Sequence, residues 1–157
     1  MFMVIPWKLS VSIGWIKHIK MIHPTKTLGD LGVLKAQLDL TQKGYIVSRP
    51  QTEHAPFDLL ITDSKGSRTV QVKARSINAS GTVEVRLIST WTNSKGVQRR
   101  AVDKRMIDLY CIYCPDTDSC YYIASRAIAK TIKLRVRAPK NGQKKHIRWA
   151  SDFREVP

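Results

Sequence analysis

The chain has 157 residues, 43% hydrophobic and 25% charged, which fits one domain with one packed core and excludes a disordered chain. Its charge is unbalanced: 27 Lys and Arg stand against 12 Asp and Glu, a formal net charge of +15. Such a charge repels itself unless a polyanion is near; nucleic acid is the usual one, against a merely soluble basic protein or one on an anionic membrane.

Residues 1–22 are apolar but interrupted by Lys8, Lys17 and Lys20. The stretch is too broken to span a membrane and lacks the basic start and small-residue cleavage site of a signal peptide. It fits the remainder poorly, with Met21 as a second possible start, and reads as an extension ahead of a single domain over residues 23–157. A helix is expected from Leu28 to about Lys43. Thr27 is its N-cap, with Asp30 as an acidic variant of the capping box. Leu28, Leu31, Leu34, Leu38 and Thr41 recur at helical spacing, the apolar members as a buried stripe, and Gly44 supplies the stop.

Strand signals follow. Residues 45–47 are short and β-branched; residues 57–62 and 68–74 flank a polar turn and predict a hairpin. Residues 83–88 are expected to continue the same sheet, and Ser94-Lys95-Gly96 to be a loop tip. Residues 101–108 suit a short helix, and residues 109–114 and 121–124 a second hairpin around Pro115-Asp116-Thr117-Asp118. Ser125 is expected to cap a helix through Ile132. Residues 133–137 and 146–149 read as a late basic hairpin about Asn141-Gly142. This order predicts an α+β or mixed α/β/α fold, a mixed sheet flanked by helices.

Cys111, Cys114 and Cys120 are odd in number and clustered, which argues against a disulfide framework and for a reducing, cytoplasmic setting. Cys111 and Cys114 have the spacing of a zinc pair, but on a strand their side chains turn to opposite faces. They read as buried small hydrophobes.

In the segment 68–75, Val70, Val72 and Ala74 alternate with Gln71, Lys73 and Arg75, so Gln71 and Lys73 share a face. With Asp58 on the preceding strand they suit phosphodiester hydrolysis. That reaction builds negative charge, which Mg²⁺ offsets while lowering the pKa of a bound water. Hard cations take oxygen ligands: the Asp58 carboxylate, the Val72 backbone carbonyl and the Gln71 amide oxygen. Lys73 would orient or activate the water, or stabilise the transition state. A solvated strand face would show the same residue types.

Basic residues cluster at Lys65, Arg68 and Arg75; at Lys95, Arg99, Arg100, Lys104 and Arg105; and at Lys133, Arg135, Arg137, Lys144, Lys145 and Arg148. Asn93, Gln98 and Arg99 are types that read base edges, and the remainder suit phosphates of double-stranded DNA.

Gly29-Asp30-Leu31-Gly32, Lys43-Gly44-Tyr45, Arg49-Pro50, Phe57-Asp58-Leu59 and Val70-Gln71-Val72-Lys73 together resemble the PD-(D/E)XK homing endonucleases encoded in cyanobacterial group I introns. So do Ile107-Asp108-Leu109-Tyr110, Pro115-Asp116-Thr117-Asp118 and residues 144–150, so that the likeness runs from about residue 24 to the end. The resemblance implies a mixed sheet flanked by helices, Mg²⁺-dependent double-strand cleavage at a long site in an intronless gene copy, and a tetramer. It makes Asp58 the metal-binding acid, Lys73 the motif lysine, and Gln71 a replacement for the usual acid. The family has a glutamate in the first helix where this chain has Val33, so catalysis here is expected to be impaired unless Asp30 substitutes. One site per chain and two strands to cut call for a homodimer at least. A junction resolvase or repair nuclease, and a DNA- or RNA-binding protein on a dead nuclease fold, are the competing readings.

Overall fold

The computed structural model describes residues 24–52, 54–94, 96–101, 104–128, 130–139, 142 and 145–157. The extension over residues 1–22 lies outside them. The helix, α1 (Pro24–Gln42), begins earlier than the sequence predicts. Proline suits a first turn, where its missing N–H would have no partner. Thr27 is therefore helical rather than the N-cap, and Asp30 falls outside the first turn. The helix ends as expected: Gly44, at φ 87°, donates its N–H to Thr41 O at 3.0 Å.

The buried face of α1 is a correction. Gly32, Ala36 and Leu40 are buried, with Leu28 and Val33 packed partly against the same core. Leu31, Leu34 and Leu38 are 41%, 56% and 55% exposed. Small residues decide this, because they let the helix lie close on the sheet: a Cβ at Gly32 would stand 3.0 Å from Ala74 Cβ.

Five strands form the central sheet in the order β1 (Ile46–Ser48), β2 (Leu59–Asp63), β3 (Gly66–Ala74), β7 (Leu109–Cys114), β8 (Ser119–Ala124). Only the β3–β7 pair among them is parallel. A parallel pair needs a long crossover, and residues 75–108 supply it. Both predicted hairpins, β2–β3 and β7–β8, are present.

α1 covers the face that carries Leu59, Ile61, Val70, Val72, Ala74 and Cys111. The other face, with Tyr110, Ile112, Cys114 and Tyr121, is covered by a separate two-stranded sheet, β4 (Thr82–Arg86) with β9 (Thr131–Arg135). Residues 83–88 thus leave the central sheet instead of extending it, and a small sheet stands where a second helix layer was expected. A third pair, β5 (Ile88–Asn93) and β6 (Gly96–Ala101), is a hairpin whose strands meet at Asn93 and Gly96, the expected tip.

Two further expectations fail. Ser125 opens one 3₁₀ turn, Ser125–Ala127, and the chain then enters β9. Among the described residues, 133–137 and 146–149 do not pair as a hairpin: Arg135 pairs with Thr82 of β4 and forms a single parallel bridge to Trp149. The short helix near residue 105 is the 3₁₀ turn Lys104–Met106. All three cysteines are free and buried, Cys111 and Cys120 in the α1 core and Cys114 in the other. Burial pushes the Cys111 thiol well up, which suits an inert hydrophobe.

Candidate active site

β2 stops at Leu59, opposite Val70, while β3 runs on to Ala74. Beyond Val70, then, one edge of β3 is open. The Val72 N–H points to that edge, since it donates to Asp58 Oδ2 at 2.6 Å. Backbone groups of successive strand residues point to opposite edges, and the Arg75 N–H, three residues on, goes to Tyr113 O of β7 at 3.0 Å. The Val72 carbonyl accordingly shares the open edge with its own N–H.

Asp58 lies just before β2 and not on it, and its N–H donates to Val70 O at 3.0 Å. That bond continues the β2–β3 ladder by one residue and sets the Asp58 side chain over the edge. The Gln71 amide also donates to Asp58 Oδ2, at 2.5 Å. Gln71 and Lys73 are half-buried on the face away from α1, while Val70, Val72 and Ala74 are buried beneath it. The period-2 reading of this strand holds.

Lys73 shares this corner. Burial lowers its pKa, the Asp58 carboxylate works the other way, and the Arg75 guanidinium lowers it again. Arg75 is exposed and donates to Ala74 O at 2.8 Å. Tyr110, which the sequence did not place at the site, is the register partner of Gln71 on β7, and its buried hydroxyl has no hydrogen-bond partner among the described residues. Only the β3–β7 register reveals it.

The α1 residues Lys35 and Asp39 reach Asp118 and Tyr122, at the β8 side of the sheet. Val33 lies on the flank of α1 away from Lys35 and Asp39, next to Gly32, which packs over Ala74. It is half-buried against the α1 core. Among the described residues no group of three or more His, Cys, Asp or Glu could hold a metal. The oxygen donors at the corner are the Asp58 carboxylate, the Gln71 amide and the Val72 carbonyl. Their kind suits a hard divalent cation, and their charge falls one carboxylate short of the usual set.

The basic residues are scattered. Lys65 and Arg68 sit at the β2–β3 turn, the far end of β3 from Lys73. Arg68 is turned inward: its guanidinium donates to Pro157 O at 2.7 Å and to Asp63 Oδ2 and Tyr45 Oη at 3.3 Å each. Arg135 is likewise engaged, with Ser80 O at 2.9 Å. Lys133, Arg135, His146 and Arg148 line one open hollow of about 540 Å³ on the β4–β9 side. Arg105, Arg137 and Lys145 are exposed. Lys95 and Lys144 lie outside the described residues, as do the side chains of Asn93, Gln98, Arg99, Arg100 and Lys104.

A family model described as PD-(D/E)XK endonuclease matches residues 23–156. Among solved structures, the chain is similar to a bacterial homing endonuclease, I-Ssp6803I, with a TM-score of 0.68 at 23% identity, over 84% of this chain and 89% of that one. At that identity the likeness speaks for the fold. No curated protein matches the chain.

Proposed function

Since the chain belongs to the PD-(D/E)XK endonuclease family, we propose that it is a sequence-specific, Mg²⁺-dependent DNA endonuclease that makes a double-strand break in an intronless gene copy. The observation that carries this reading is the corner at the open edge of β3, where Asp58 is held by Gln71 and Val72 beside the partly buried Lys73. The homing role leans on the structural likeness to a homing endonuclease. The excess of cations supports DNA as the substrate.

Each residue has a task. Asp58 Oδ2 accepts two hydrogen bonds, so its carboxylate is fixed in place before DNA arrives. Asp58, the Val72 carbonyl and the Gln71 amide oxygen would hold the cation, with a DNA phosphate supplying the missing negative charge. When bound, the cation offsets charge on the phosphate and acidifies water. Lys73, its pKa lowered by burial, accepts the proton of the attacking water. The water oxygen bonds to phosphorus as the opposite P–O bond breaks, and the departing strand oxygen keeps that electron pair and takes a proton from solvent.

The described residues hold one such corner, so two copies act on each duplex, and the resemblance extends this to a tetramer. A reducing compartment such as the cytoplasm suits three free cysteines. No described helix is long and apolar enough to cross a membrane.

A second reading, a DNA-binding protein on a dead nuclease fold, draws on the missing acid at Val33. Incubation with genomic DNA and Mg²⁺, followed by sequencing of the ends, separates the two. Duplex ends in one sequence context support the proposal, and an absence of ends supports the second reading. Either way affinity should fall ~10³-fold or more between about 50 and 200 mM salt if ~6–10 phosphates are neutralised. A flat salt response removes DNA from both readings.

A further inference from the structure

Two buried hydroxyls have no hydrogen-bond partner among the described residues, Tyr110 Oη and Ser125 Oγ. Tyr110 adjoins the corner through Gln71, but Ser125 has no place in the reading above. It is 5% exposed. An unpaired buried hydroxyl destabilises a fold, so a serine in such a place points to a partner that comes from outside it. Ser125 lines an open hollow of about 530 Å³ where β8 ends and β7 begins, together with Arg68, Arg105 and Arg126. We propose that this hollow is a phosphate site, in which Ser125 Oγ and the Arg126 guanidinium donate to the phosphate oxygens.

The donors choose the ligand. Arg126 is exposed and, among the described residues, forms no ion pair. Its guanidinium offers N–H groups in a planar fork that matches two phosphate oxygens. Arg105 is exposed beside it and adds positive charge. The side-chain carboxylate in the lining belongs to Asp108 and is turned to the strand: its Oδ2 accepts from the Thr69 N–H at 2.8 Å and from Thr69 Oγ1 at 3.0 Å. An acceptor is already drawn to one wall of the hollow, where Arg68 donates to Pro157 O at 2.7 Å. That bond and the Asp63 carboxylate occupy Arg68, which leaves Arg126 and Ser125 to an incoming anion. A cation would meet arginines here, and an apolar ligand would leave the hydroxyl unpaired.

The hollow is separate from the corner at Asp58 and Lys73. Ile112 is the register partner of Lys73, and Asp108 stands four residues before it on the same run of chain, ~13 Å along the strands at about 3.3 Å per residue. One phosphate cannot touch both. Phosphates of one DNA strand follow each other at ~3.4 Å along the helix axis, so a duplex with one phosphate at the corner carries another about four steps away. A small free phosphate offers the same oxygens. The DNA source rests on the nuclease reading above; the phosphate contact itself does not.

The test uses two probes on the full chain: inorganic phosphate, titrated against chloride at constant ionic strength and followed by the amide shifts of residues 125–127, and a short random-sequence duplex without Mg²⁺. Ser125→Ala should weaken binding about 10-fold or more, the loss of one hydrogen bond to a charged group. Arg126→Ala should cost at least as much, and Arg126→Lys should restore little of it, because an ammonium lacks the fork. Without phosphate, Ser125→Ala should melt at or above the parent, since it removes an unpaired buried hydroxyl. A clear fall in melting temperature would give that hydroxyl a partner inside the fold and overturn the proposal. Loss of duplex affinity in Ser125→Ala and Arg126→Ala makes the ligand a DNA phosphate. Loss toward inorganic phosphate alone makes it a small phosphate. A Ser125→Ala chain that matches the parent toward both probes overturns the site and leaves only a cationic surface. Absence of cleavage by the parent with Mg²⁺ overturns the nuclease reading and leaves the phosphate result standing.

Discussion

The two ends of β3 carry similar residues and do different things with them. At the turn end the strand is paired with β2, and its cation, Arg68, is held by Pro157, Asp63 and Tyr45. At the other end β2 has stopped, and the cation, Lys73, faces a carboxylate that already has two neutral donors. A positive charge by itself therefore marks nothing. What distinguishes the end proposed as catalytic is an unfinished edge, where Val72 offers backbone groups that no strand takes. A buried lysine beside such an edge has a lowered pKa, while an arginine enclosed by acceptors is structural.

The sharpest way to break this comparison is to remove each cation. Lys73→Ala should lower single-turnover cleavage by ~10²–10⁴-fold and leave DNA binding nearly intact, because it removes one positive charge among 27. Cutting at the parent rate would reassign the site. Next in size is Val33→Glu, which puts a carboxylate where the resembled family has its helix glutamate. Cleavage with Mg²⁺ should rise ~10²-fold or more if that acid helps place the nucleophile, while binding without metal should weaken slightly. Equal rates in both versions would leave Val33 an ordinary packing residue.

Arg68→Ala tests the closed end. It should cost about 1–2 kcal/mol of stability through its hydrogen bonds and its contact with the Tyr45 ring, read as a lower urea midpoint, with cleavage unchanged. A loss of DNA affinity without loss of stability would return Arg68 to the DNA-binding set. The smallest effect belongs to Arg75→Ala. The Arg75 charge lowers the Lys73 pKa, so its removal should raise that pKa and move the rising limb of the pH–rate profile to higher pH. A shift to lower pH would mean that Lys73 does not act as the neutral base. The same lowered pKa has a sign for folding. The folded state holds the Lys73 proton less tightly than the unfolded chain, so this group's contribution to stability is present above the unfolded pKa and is lost as pH falls through the folded one.

Local periodicity determined much of this protein. The alternation of Val70, Val72 and Ala74 with Gln71 and Lys73 sets the faces of β3 without reference to any other strand, because side chains of a strand alternate whatever it pairs with. The same rule separates Cys111 from Cys114, and Gly44 ends α1 because the turn needs a positive φ. The tertiary structure decided what depends on distant partners. It buried the small face of α1 in place of the leucines, since close approach to Ala74 and Tyr113 favours Gly32. It sent β4 to β9, replaced the helix after Ser125 with a 3₁₀ turn, and dissolved the late hairpin into one bridge. It also moved Asp58 off its strand and onto the Val72 N–H. Each of these is a pairing between residues far apart in the chain, and a periodicity read over a few residues holds no information about which distant edge will be left open.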